Sequence, residues 1–199
     1  MILGKIVRSN SHTDYVCQVY SPGEVEQPPA PADYSFGTFV RIALQTRPQS
    51  WLVGLVYDTI LLNPDFGSLG PRLSPQTELA VFSPDYLQEK ATLLGITAVG
   101  TLPESGPVSQ GVPALAALTD APVEKLAEAQ IKIFHQGNPS VRLAYMPLLM
   151  SQGSPLTLYL LRDLIDHLRQ LFPEQAGSLA VLQRELVWQS QVAPFGGRP

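Results

Sequence analysis

Four segments near the start of the chain alternate apolar and polar residues with a period of two: Ile2–Arg8, Thr13–Tyr20, Gly37–Leu44 and Ser50–Tyr57. Each is rich in β-branched and aromatic residues and bounded by Gly, Pro, Asn or Asp, the signature of short half-buried strands. The gaps between them are too short for crossover helices. The pattern therefore predicts antiparallel neighbours in a small sheet or barrel rather than βαβ units. A barrel closes its own edges and so makes a rigid platform. Between the second and third segments, Ser21–Asp33 (SPGEVEQPPAPAD) carries four prolines and three acidic residues. It reads as a stiff, solvated connection on the barrel rim, with Pro28, Pro29 and Pro31 as a candidate polyproline ligand.

Further along, Ser83-Pro84-Asp85 has the chemistry of a helix start, with Gly95 closing the helix, and Ile96–Leu102 reads as another strand. The Pro- and Gly-rich stretch from Pro103 to Gly111 marks a boundary between a barrel domain, 1–103, and a helical domain, 112–199. Beyond it the apolar period changes from two to 3.6. Asp120 reads as the cap of a helix reaching about His135, and Val141–Met150 fits either a helix or a strand. Gly153-Ser154-Pro155 starts the best helix in the chain, stopped by Pro173. A last helix, to about Gln191, carries Leu179, Leu182 and Leu186 on one stripe, and Pro194–Pro199 reads as a frayed tail.

The apolar residues of the 154–172 helix cover well over half its circumference, more than a helix packed on one side requires. Two explanations stand: burial on two sides within the chain, or a contact surface for a partner. The candidate interface residues are Leu156, Leu158, Tyr159 and Trp188.

The stretches ILGKIVRSNSHTDYVCQVY, FGTFVRIAL and SWLVGLVYDTILL, in that order, resemble the opening of the HAS-barrel, the N-terminal barrel of HerA-type ATPases and of ATP-synthase catalytic subunits. The likeness lies in a Gly early in strand one, an F/Y-x-V strand, G-x-F/Y-V entering strand three and V-G-x-V in strand four. PRLSPQTELAVFSPDYLQEKATLLGITAVGTL extends it to about residue 103. The four lysines, Lys5, Lys90, Lys125 and Lys132, do not follow a glycine pair at phosphate-loop spacing. What the resemblance implies is a barrel without its motor, similar to stand-alone forms from cyanobacteria and serving a larger complex.

Composition sharpens this reading. A net charge of −4 with scattered arginines argues against nucleic-acid binding. No uncharged apolar stretch is long enough to span a membrane. A lone Cys17 precludes an internal disulfide and fits a cytoplasmic protein. Only 15% of residues are charged, which favours a partner-covered face.

Candidate chemistry is sparse. Asp163, Asp166 and His167 share a helix face at metal-ligand spacing, but Arg162 and Arg169 flank them and make a solvated charged face the simpler reading. His12 fits turn hydrogen bonding, and His135 fits a cation at a helix C-terminus. Cys17 fits core packing, and Glu124 with Glu128 a helix-surface pair. No catalytic residue, cofactor or metal ligand is assigned.

The expected fold is α+β, a small antiparallel β-barrel followed by a C-terminal helical layer. The expected function is a non-enzymatic interaction or assembly module with a protein partner, and the same surface would allow a homo-oligomer. The alternatives are a small-molecule or flavin-binding barrel with enzymatic activity and a regulatory subunit of a separate ATPase.

Overall fold

A computed structural model describes residues 1–63, 91–137 and 140–192. Its strands are β1 (Ile2–Ser9), β2 (Asp14–Val19), β3 (Phe39–Leu44), β4 (Ser50–Leu62), β5 (Ala91–Pro103), β6 (Ser109–Gln110) and β7 (Pro122–Lys125). Its helices are α1 (Glu128–His135), α2 (Met146–Ser151), α3 (Thr157–Leu171) and α4 (Ala176–Val192). Strand β2 pairs with both β1 and β5, and β7 pairs with both β1 and β3. The order β1-β2-β5-β4-β3-β7 thus returns to β1, closing a six-stranded antiparallel barrel with β6 added along the outer part of β5. The expected α+β fold of a small barrel with a helical layer is the fold observed.

Alternation sorts the strand side chains onto two faces. Leu3, Ile6, Tyr15, Cys17, Val40, Ile42, Leu52, Val56, Leu94, Ile96, Ala98 and Val123 form one buried cluster, which fills the barrel. Val53, Leu55, Val99 and Leu102, from β4 and β5, join a second cluster with α1, α2, α3 and α4. The middle of β4 is therefore covered on both faces, which is why WLVGLV reads as an unbroken apolar run. Gly4 and Gly54 are among the glycines that stand where no side chain fits. A Cβ on Gly4 would lie 1.9 Å from the Gln18 carbonyl oxygen. One on Gly54 would lie 2.6 Å from Ile96 Cγ2, beside a break in the β4–β5 register.

Several elements differ from the sequence expectation. Strand β4 runs five residues past Tyr57, and its partner β5 begins at Ala91. Gly95 therefore ends no helix: it lies in a strand paired on both edges, against Val16 of β2 and Asp58 of β4. The expected start of that helix at Ser83 falls outside the described residues, as does the 194–199 tail. Asp120 caps no helix either; it sits at φ 62°, in the left-handed region that Asp tolerates better than most residues. Four residues of strand then intervene before α1. The open edges of β1 and β3 hold Pro122–Lys125 in the sheet, and this local pairing outweighs the helical spacing of Val123, Leu126 and Ala127.

Strand β7 lies C-terminal to the expected 103–112 boundary, yet it closes the barrel. Gln152, just past α2, makes a similar link. Its Nε2 donates to Oγ1 of the fully buried Thr97 on β5 at 2.6 Å. The barrel and the helices share one continuous apolar seam.

Candidate protein interface

Helix α3 buries Leu160, Leu161, Leu164, Ile165, Leu168 and Leu171. These recur at helical spacing and meet the β4–β5 face on one side and Leu179 and Leu186 of α4 on the other. The two-sided burial proposed for the belt accounts for these six. It does not account for Leu156, Leu158 and Tyr159, which are 41%, 42% and 56% exposed. On α4, outside the buried stripe, Val187 and Trp188 are 45% and 63% exposed. All four sequence-proposed helical candidates are thus accessible.

The α3–α4 pair is antiparallel, so the first turns of α3 lie level with the last turns of α4. Between them runs a groove of about 190 Å³ lined by Leu158, Tyr159, Arg162, Gln183, Leu186 and Val187. The Arg162 guanidinium lies 5.6 Å from the centre of the Tyr159 ring and 3.4 Å from Asp163 Oδ1. It holds the ring against the helix while its charge is partly balanced. Sequence reasoning missed Val187 and Arg162 as groove residues. Val187 lies just outside the leucine stripe, and Arg162 is one turn beyond Leu158 and Tyr159; either offset could have indicated the groove.

The proline candidates separate. Pro28 and Pro31 are exposed, while Pro29 is buried and lines a cavity with Val19, Tyr20, Tyr34, Leu61 and Leu62. Pro31 opens a 3₁₀ turn, Pro31–Asp33, that is tied down by the Ala30 amide donating to Asp33 Oδ2 at 3.0 Å. A polyproline ligand needs its prolines open to a receptor groove, and here the middle one packs against its own barrel.

The titratable groups are mostly held in structural roles. His135 is fully buried. Its Nδ1 lies 2.8 Å from the Ile131 carbonyl and its Nε2 2.7 Å from the Tyr145 hydroxyl. A carbonyl can only accept, so Nδ1 carries the proton and Nε2 accepts from the tyrosine. Burial, with the nearby His167 adding to it, pushes the imidazole down to about 4. The expected helix-terminal cation is therefore a neutral core residue, set among Phe39, Phe134 and Tyr145. Cys17 is buried too, and desolvation pushes its thiol up to about 12, which removes the thiolate needed for nucleophilic chemistry. His12 binds the Pro113 carbonyl at 2.7 Å through Nε2.

The Asp163–Asp166–His167 face divides. Asp166 pairs with Arg169 at 3.2 Å, whereas Asp163 and His167 border a cleft with Lys125 and Glu128. Among the described residues no group of three or more His, Cys, Asp or Glu could hold a metal ion. Glu124 and Glu128 are not a pair on one helix. Glu124 lies on β7, where its carboxylate accepts from Arg41 Nε at 3.1 Å and Nη2 at 2.5 Å, and Glu128 opens α1. Among the described residues no helix is long and apolar enough to cross a membrane.

A family model described as a domain of unknown function, DUF8166, matches residues 1–194. No curated protein matches the sequence.

Proposed function

The chain belongs to the DUF8166 family, and we propose that it acts as a non-enzymatic interaction module, a rigid barrel carrying a helical contact surface for a larger assembly. The observation that carries this reading is the exposed apolar end of the α3–α4 layer, with Leu158, Tyr159 and Val187 lining one groove and the exposed Trp188 following Val187 on α4. Isolated exposed apolar residues are ordinary, but an apolar groove lined by an aromatic residue, with a second exposed aromatic at the same end of the helix pair, has the composition of an interface centre. The filled barrel interior supports the reading, since rigid closed sheets present a surface without internal rearrangement. So does the chemistry of the buried groups, because His135 and Cys17 are committed to packing and hydrogen bonding. The resemblance of the first 103 residues to the HAS-barrel, a domain appended to larger machines, points the same way.

Comparing Leu158→Asp with Leu164→Asp tests it. Leu164 is buried, so an uncompensated charge there costs several kcal/mol and should unfold the chain. Leu158 is partly exposed, so its aspartate should leave the thermal melt nearly unchanged. If Leu158→Asp unfolds the protein as badly as Leu164→Asp, the belt is simply core and the contact surface is lost.

A further inference from the structure

Resting on that reading, we infer that the α3–α4 face receives a second copy of this chain, packed about a two-fold axis running along the helices. Such an axis keeps each residue at its own level along the bundle while placing α3 of one copy over α4 of the other. Tyr159 and Leu158 lie level with Val187 and Trp188, because they border the same groove or adjoin it in sequence. The rotation therefore sets Tyr159 of each copy against Trp188 of the other, twice over, and every helix gains an antiparallel neighbour. The product is a four-helix bundle with a barrel on each outer side, the layered arrangement in which helix pairs ordinarily bury a second apolar face.

Area and charge both fit this occupant. The exposed parts of Leu156, Leu158, Tyr159, Val187 and Trp188 amount to on the order of 500 Å² of accessible surface per copy. Doubled across the axis and widened by the Arg162 and Gln183 rim, the contact reaches on the order of 1,200 Å², the lower edge of stable protein interfaces. The whole chain carries −4, a net charge that works against contact between two copies. This face is an exception: on α3 Arg162 pairs with Asp163 at 3.4 Å and Arg169 with Asp166 at 3.2 Å. A patch without net charge offers little to select an oppositely charged partner, but it allows self-association.

Light scattering on the full chain, over a wide concentration range, tests the inference. The wild-type protein should show twice the 21.7 kDa of one chain, with a melting temperature that rises with concentration. Tyr159→Asp combined with Trp188→Asp should halve the mass and abolish the concentration dependence while leaving the far-UV circular dichroism spectrum intact. A single-chain mass for the wild type at every concentration overturns the proposal, as does a two-chain mass that survives both substitutions. If Leu158→Asp folds normally while the wild type is monomeric, the second copy is excluded and the contact-surface reading stands. If Leu158→Asp unfolds, the contact-surface reading falls with it.

Discussion

Acidification should destabilise this protein through one residue. His135 is fully buried and neutral, its Nδ1 proton held by the Ile131 carbonyl and its Nε2 lone pair by the Tyr145 hydroxyl. The imidazole titrates at about 4 in the fold, against 6.5 when it is free. Between these values the unfolded chain binds a proton that the folded chain does not, so stability rises with pH across this window. The contribution is complete above pH 6.5 and is lost as the pH falls towards 4. The gap corresponds to about 3 kcal/mol in total, with about 2 kcal/mol already gone near pH ~5. That is a large part of the ~5–15 kcal/mol that usually holds a domain of this size together. Urea unfolding of the wild type and of His135→Gln, each followed from pH 6.5 downwards, isolates the effect. Glutamine keeps a donor and an acceptor but does not titrate, and surface carboxylates contribute equally to both proteins. The wild-type curve should therefore fall more steeply than the variant's by about 2 kcal/mol between pH ~6.5 and ~5. Parallel curves would show that His135 charges without cost and would refute its desolvated, neutral placement in the core.

Two further outcomes follow from the barrel. Gly4→Ala should cost about 3 kcal/mol, because its Cβ would meet the Gln18 backbone rather than a movable side chain; urea unfolding measures it, and a near-neutral result would mean that β1 and β2 can separate cheaply. A fragment of residues 1–103 should fail to show a cooperative thermal transition, since it lacks β7 and leaves the edges of β1 and β3 unpaired; a sharp melt with β-type circular dichroism would show that six strands are not required.

Much of the barrel was legible in the chain itself. β1 to β3 were readable because each has one face toward the interior and one away from it, so burial writes a period of two into the residues, while β4, covered on both faces at its middle, was marked by a short continuous apolar run. The same logic marked α3, where a 3.6 period and the Pro173 stop are local signals. It also singled out Leu158 and Tyr159, because they exceed what one buried helix face can use.

What remained for the tertiary structure was every feature that depends on a distant partner. Strand β7 has only Val123 buried, too few residues to write a period, and it exists because β1 and β3 offer it two edges. Gly95 carries the chemistry of a helix end but is held in a strand by β2 and β4. His135 has the position of a surface cation, and its neutrality depends on Phe39, Tyr145 and their surroundings, which arrive from other elements. The division of the α3 belt into core and groove was likewise settled by where α4 and the barrel lie. Local sequence specifies which backbone geometry each segment favours, while burial and hydrogen-bond partners far along the chain decide which face is covered and which preference gives way.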